Sequence, residues 1–421
     1  MNSAAGDRVV VVGGGVIGAM CAWYLVEAGF KVSIVDKDKF GAACSHGNCG
    51  YVAPSHVLPL TRPGTIGSTL RSMMKSNSPF AVKPRFSADA ISWFWKFARR
   101  CNEKHMLESA VGLHELLQSS ASLYKDLIES ESIDCEWREA GILFVYDDQK
   151  HFDEFAKVNQ LIEDRFGLAA RPYDERALLE KEPAIKPGVA CGAWHYEMDC
   201  HLRPDKLMTA LKQKLAERGV EFYENWELKS FVSENGSARA VSNGQQEIQA
   251  DHFVAALGAW TPFINQHLGC RIPIQPGKGY SITMPTPQKM PRFPIIFEDC
   301  HVAVTPMDSK YRIGSTMEFV GYDSSINPKR LGLLKSAAEK YLLDPHSEPI
   351  EEKWFGWRPM TWDGKPVMDR SPAMKNVWVA AGHNMIGLST ATASGKFMAE
   401  LISGEKPHLD SAHFSIARLG K

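Results

Sequence analysis

Residues 9–12 form a short apolar run, long enough for one buried strand, and a glycine-dense turn, Gly13-Gly14-Gly15-Val16-Ile17-Gly18, follows at once. A helical pattern continues to about Ala28, and a second apolar run, 32–35, ends at Asp36. Strand, turn, helix, strand and acid in that order predict a βαβ unit over 7–36. Residues 37–62 are loop-like, rich in Gly, Ser, Pro and His. Two helices are expected at 84–102 and 107–130; in the second, Leu113, Leu116, Leu117, Leu123 and Leu127 recur near helical spacing. A strand at 141–146 and a helix at 152–166 come next. From Pro204 a helix carries Leu207, Leu211 and Leu215 on one face, with Gly219 beyond its end and a strand at 220–223. Another apolar strand, 253–257, runs into Gly258-Ala259-Trp260.

Between about 270 and 357 the pattern changes to segments separated by turns, with strands expected at 278–284, 301–306 and 310–314. The last part returns to α/β: a strand at 377–380, the turn Gly382-His383-Asn384-Met385-Ile386-Gly387, and a helix to about Ile402 stopped by Gly404. The fold class expected is α/β, with a Rossmann-like nucleotide-binding domain assembled from 1–62, 165–265 and 358–421. Residues 63–164 and 266–357 would form a second, α+β substrate domain with a mostly antiparallel sheet.

The first turn is a dinucleotide clamp. Gly13 permits the tight turn, Gly15 lets backbone approach a pyrophosphate, and Gly18 lets the helix pack on the sheet. The free N–H groups at Val16 and Ile17 would face the phosphates. Asp36, followed by Lys37, would accept hydrogen bonds from a ribose and repel a 2′-phosphate. This motif alone leaves FAD and NAD open. No second Gly-x-Gly-x-x-Gly follows residue 18, so the chain uses NAD alone or holds FAD reduced directly by an organic substrate. The turn at 382–387 favours FAD, because the positive end of the helix after it can stabilise negative charge at N1 and O2 of a reduced flavin.

Composition narrows the partners. The chain has 421 residues, 44% hydrophobic and 23% charged, with a formal net charge of −1, as in an ordinary soluble protein of two domains or one composite one. With no long basic block, nucleic acid is not an expected partner. Nine cysteines without a CxxC pair point to reduced thiols and no metal. No secretory pattern and no apolar stretch of about 18 residues is present, so a cytoplasmic location is expected. The segment 91–100, Ile-Ser-Trp-Phe-Trp-Lys-Phe-Ala-Arg-Arg, leaves two readings open. One is a packed helix with basic residues at its negative pole; the other is a helix in peripheral contact with the inner face of the membrane.

Several segments together resemble the FAD-dependent amine and amino-acid oxidoreductases that include D-amino acid oxidase, and within them the bacterial D-amino acid dehydrogenases. They are 9–18 with Asp36, Ser45-His46-Gly47-Asn48-Cys49-Gly50, Pro54 with 58–64, 254–260, Arg358-Pro359-Met360-Thr361-Trp362-Asp363-Gly364-Lys365-Pro366, and Gly382-His383 with Gly387. The resemblance implies that Ser45, Asn48, Cys49 and Gly50 lie along the pyrophosphate and flavin, and that Gly258 and Trp260 lie near the adenosine half. It places Gly364 with Lys365 close to the ring, and Gly382, His383, Met385, Ile386, Gly387 and Leu388 around its pyrimidine side. The histidine that links flavin covalently in some members falls at Gly47, with His46 one position off, which implies non-covalent FAD.

The activity implied is oxidative deamination of a D-amino acid to a 2-oxo acid and ammonia, by hydride transfer from Cα to flavin N5, with electrons passed to a quinone or another carrier. His46, Cys49 and Ser55-His56 depart from the usual dehydrogenase loop, which keeps three alternatives open. These are a cyclic D-imino acid of the D-proline or hydroxy-D-proline type, a glycine or sarcosine oxidase, and a non-catalytic flavin-binding assembly protein. A substrate carboxylate calls for an arginine, expected to be Arg312. Tyr280 would cover the substrate or donate to its carboxylate, and Arg358 would brace the site or touch the substrate. His56 and His383 are candidates to take the ammonium proton. Asp199 is expected to be a cap or hinge.

Overall fold

The computed structural model describes residues 6–67, 69, 78, 80–83 and 87–420. Six strands form the first sheet, in the order Val367–Arg370, Val377–Ala381, His252–Ala255, Arg8–Val12, Lys31–Val35, Glu221–Tyr223. All pair in parallel except Val367–Arg370. Val9–Val12 is buried and pairs on both sides, Val12 opposite Val35 and Ala255. That is why the run is continuously apolar rather than alternating. Val16–Glu27 crosses over between the first two strands in register.

A nine-stranded sheet makes the second layer. Eight of its strands pair in one lateral series, so Trp354, Ser281, Gly314, Ala303, Ile296, Phe144, Trp194 and Pro172 stand opposite one another in turn. Laterally paired residues share a face, and this row marks the face turned to the functional site. Most pairings are antiparallel; Ile295–Phe297 with Ile142–Tyr146, and Lys310–Phe319 with Phe80–Val82, are parallel.

Three segments sit elsewhere than their sequence neighbours suggest. Arg171–Asp174 and Gly192–Tyr196, within the stretch expected in the nucleotide-binding domain, are strands of the second sheet. Gly192–Tyr196 is buried throughout and pairs with Ile142–Tyr146. Glu103–Glu131 comes from the stretch expected in the substrate domain but packs against the first sheet's helices. Leu116, Tyr124 and Leu127 join that core, Ser120 bonds Thr392 at 2.7 Å, and the Tyr124 hydroxyl donates to Leu388 O at 2.9 Å. This helix starts at an Asn102 cap that accepts from His105 N at 3.0 Å.

The 91–100 segment lies in the helix Ala88–Arg100. Trp93 is buried and stacks on Phe97 at 5.3 Å, while Ile91 and Trp95 are 60% and 57% exposed. The packed-helix reading accounts for its inner face. No helix among the described residues is long and apolar enough to cross a membrane.

Candidate active site

A cavity of about 1230 Å³ runs between the two sheets. Its wall gathers residues expected from the sequence: Gly13, Gly15, Val16, Ile17, Asp36 and Lys37 at one end, then Ser45, Asn48, Cys49 and Gly50. Gly258, Trp260, His383, Met385, Ile386, Gly387 and Leu388 also line it, as do Tyr280 and His56. Gly18, Gly364, Gly382 and Arg312 do not line it.

The clamp glycines separate by what a side chain would strike. A Cβ on Gly13, whose φ is 114°, would lie 2.3 Å from Ala256 O, and one on Gly18 would lie 1.9 Å from Gly13 O. Both are glycine because the protein leaves no room. A Cβ on Gly15 would meet only Ser45 Oγ, at 3.3 Å, and one on Gly258 would meet nothing within 4 Å. At Gly15 the free space therefore belongs to the cavity, as backbone approach to a ligand requires. Ser45 Oγ accepts the Val16 N–H at 2.8 Å, so one of the helix's free donors is already used.

Asp36 accepts from Gly14 N at 2.6 Å and from Asp38 N at 2.8 Å. Burial pushes its carboxyl above the ordinary range, and those two N–H groups oppose the shift. Each oxygen keeps a lone pair for a ribose hydroxyl. Lys37 Nζ sits 4.0 Å over the Trp260 ring. Trp226, Glu227 and Leu228 complete this end. Nothing in their sequence marks them; they are placed by Trp226 N donating to Asp36 O at 2.7 Å.

The loop after the clamp is held on both sides. Asn48 donates to Cys44 O at 3.0 Å and accepts from Gly50 N at 2.8 Å. Ser281 Oγ donates to Gly47 O at 2.7 Å. Arg312 Nη1 donates to Asn48 O at 2.9 Å and to His46 O at 3.3 Å, and Nε to Thr283 Oγ1 at 2.9 Å. Arg312 is buried, and Asp205 and Glu352 stand 3.8 and 3.7 Å from its Nη2. It shares a sheet face with Gly314, but the 46–49 loop lies over that part of the face. The geometry therefore corrects the sequence expectation of a carboxylate clamp: Arg312 anchors the loop. His46 bonds Glu352 at 2.7 Å. Any side chain at Gly47 would strike the Trp354 ring at 2.3 Å.

Arg358 is the arginine that reaches the cavity from the sheet. Its Nη1 donates to Thr316 O at 2.7 Å, and no other hydrogen bond of its guanidinium is made among the described residues. Thr316 belongs to a bulge where Lys278 faces Glu318 and Tyr280 faces Ser315. Ser315 and Thr316 have φ of 113° and 58°, a conformation that costs free energy for non-glycine residues. The bulge turns the Thr316 carbonyl onto the arginine. Tyr280 is buried, and its hydroxyl donates to Glu318 Oε2 at 2.6 Å; Glu318 also accepts from Arg330 Nε at 2.6 Å. Tyr280 alternates with Ser281, so its side chain lies on the far face of the sheet, in the core with Ile282, Tyr311 and Leu334, and its hydroxyl is committed to Glu318 there rather than offered to the substrate as expected. Burial and Glu318 both push its pKa upward.

Burial pushes His383 down to about 3, and its Nε2 is 3.0 Å from Ser394 Oγ. Burial and the Arg62 charge push His56 down to about 4. Neither imidazole is a base matched to neutral pH, which speaks against the proton-acceptor role expected for both. Behind His56, Ser55 Oγ is 3.4 Å from Nδ1 and donates to Asp199 Oδ2 at 2.6 Å, while Ser55 N donates to Oδ1 at 3.0 Å. Asp199 is fully buried, and burial pushes its carboxyl up to about 7. The expected cap is thus an anchor for the cavity segment carrying His56.

Gly364, at φ 80°, turns against Pro59, where a Cβ would come within 2.6 Å; Gly382, at φ 77°, turns against Thr361 Cγ2, also at 2.6 Å. Both are required by packing at tight turns, and neither is part of the cavity wall. The last helix is Ala391–Ser403, so it begins after 388–390 rather than directly from the 382–387 turn. No cluster of His, Cys, Asp and Glu suited to a metal occurs among the described residues.

The fold is similar to that of glycine oxidase from Geobacillus kaustophilus, with a TM-score of 0.79 and 21% identity over 98% of this chain and 99% of that one. Glycine oxidase from Bacillus cereus gives a TM-score of 0.76 at 21% identity, covering 96% of each chain. L-Proline dehydrogenase from P. horikoshii gives 0.72 at 21% identity, over 99% of this chain and 98% of that one. The family model described as FAD dependent oxidoreductase, DAO, matches residues 8–401. Clamp, cavity, sheet arrangement and this match over nearly the whole length agree: the chain belongs to the DAO family of FAD-dependent oxidoreductases.

Proposed function

We infer that the protein oxidises the Cα–N bond of an amino or imino acid. The observation that carries this reading is Arg358, a cavity arginine with one N–H tied to Thr316 O and no other hydrogen bond of its guanidinium among the described residues, which leaves its fork to a carboxylate. The pattern of space at Gly15 and Gly258 fits FAD, with Asp36 on its ribose and the 45–50 loop along its length. Bound FAD supplies the two-electron acceptor. Gly47 packed on Trp354, with His46 engaged by Glu352, supports non-covalent attachment.

Arg358 orients the substrate through its carboxylate, and the walls hold the α-carbon in place. The substrate loses a hydride from Cα and a proton from nitrogen; water then converts a primary imine into a 2-oxo acid and ammonia. A secondary ring amine stops at the cyclic imine. The similar structures include enzymes named for glycine and for L-proline, which favours an amino- or imino-acid substrate over a restriction to D-amino acids. The D configuration suggested by the motif resemblance and the small-substrate alternatives are separated by assay. Dye reduction with D-, L- and N-methyl amino acids, with and without oxygen and with ammonia measured, tests the reading. Turnover of at least one amino or imino acid supports it; dye reduction only with NADH contradicts it.

A further inference from the structure

The cavity has a second end that the oxidation itself does not require. Along the row Ser281, Gly314, Ala303, Ile296, Phe144, the cofactor loop covers the first part: Ser281 holds Gly47 O, and Gly314 lies against Cys49 Sγ. Past the loop the same face stays open, and Ala303, Ile296, Phe144 and Tyr196 line the cavity. Phe155, Val158 and Ile162 of the helix Gln149–Phe166 close it from the side. Phe144 stacks with Phe155 at 6.4 Å, meets Tyr196 edge-on at 5.5 Å, and has the His56 ring at 5.7 Å.

The span from the clamp decides what fits. Arg358 is anchored on Thr316 O, and Thr316 lies two residues along its strand from Gly314. Gly314 and Phe144 are three strand spacings apart in register. At about 4.8 Å between strands and about 3.4 Å per residue, the anchor and the Phe144 backbone are roughly 16 Å apart. A carboxylate held by Arg358 and a ring packed about 5 Å from Phe144 bridge that span through a side chain the size of phenylalanine's. Glycine, or the compact ring of proline, ends well short of the aromatic wall.

We propose that this end is the substrate's side-chain pocket, and that the substrate class is amino acids with a large apolar, above all aromatic, side chain. The proposal rests on Arg358 holding the carboxylate. Burying such a side chain is worth about 1.5–3 kcal/mol, or roughly 10–100-fold in affinity.

The test uses the FAD-loaded protein and carboxylates that it cannot oxidise, titrated by calorimetry. Expected is 3-phenylpropanoate binding roughly 10–100-fold tighter than propanoate or tetrahydro-2-furoate. Filling the pocket with Ile296→Trp should collapse that ratio to about 3 or less, and Val158→Trp provides the same test from the helix side. Equal binding of the three ligands, a preference for tetrahydro-2-furoate, or a ratio untouched in both filled variants overturns the pocket while leaving the carboxylate reading intact. If none of the three binds the wild type, or if Arg358→Met binds them as well as wild type, the carboxylate reading itself fails.

Discussion

Arg312 donates to the main-chain oxygen of Asn48 at 2.9 Å, tying a strand of the second sheet to the loop that follows the glycine clamp. Removing the guanidinium leaves two partly buried carbonyls unpaired, each at up to about 1–3 kcal/mol. Arg312→Met is therefore expected to weaken FAD binding by roughly tenfold or more, read by flavin fluorescence on titration. Its effect at saturating FAD should fall on stability rather than on KM. A large rise in KM with unchanged FAD affinity would restore Arg312 as the carboxylate clamp.

Arg358→Met should retain flavin and lose about 10²-fold or more in kcat/KM, the worth of charge-assisted hydrogen bonds to a carboxylate. Arg358→Lys should recover only part of it, since an ammonium cannot make the two-pronged contact. Steady-state kinetics on FAD-saturated protein decide this.

Gly15→Ala and Gly18→Ala should fail differently. The first meets only Ser45 Oγ at 3.3 Å, the second a carbonyl at 1.9 Å. Gly15→Ala is expected to fold with a near wild-type Tm as apoprotein and to bind FAD poorly, whereas Gly18→Ala should melt well below wild type without any cofactor. Melting curves and flavin content of the purified variants separate the two.

The Asp199 carboxyl, pushed up to about 7 by burial, makes stability depend on pH. A raised carboxyl favours the folded state at acid pH, and that contribution fades as pH rises from about 4 through 7. Asn in its place keeps an acceptor for Ser55 N and offers a donor to Ser55 Oγ. The Tm of Asp199→Asn relative to wild type should thus rise between pH 5 and pH 8, by an amount on the order of a few kcal/mol in stability. A difference that stays flat across that range would contradict the assignment.

The clamp from Val9 to Gly18 with Asp36 was legible because all its parts are local: a strand, a turn and a helix within one stretch of chain. The alternation of the remaining segments likewise revealed two sheets of different kinds. The motif resemblance ranks Arg312 above Arg358 as the carboxylate clamp, and nothing local to either strand could reverse that order. What separates them is that the 46–49 loop, from the far end of the chain, lies over one and not the other. Ser55 and Asp199 meet only when two distant segments cross, and nothing around either predicts the pairing. The aromatic end of the cavity draws on Phe144, Tyr196 and Phe155 from three elements, each of which reads as ordinary core. Helix 103–131 was legible as a helix, but the apolar stripe that defines it does not say which layer it covers.

The most direct measurement is anaerobic. FAD-loaded protein is mixed with single amino and imino acids in both configurations, and the visible flavin band is followed without any added acceptor. The account predicts bleaching by at least one of them, fastest with a large apolar side chain, and loss of that bleaching in Arg358→Met with the flavin still bound. A band that stays oxidised across the whole panel and bleaches only with NADH would contradict it.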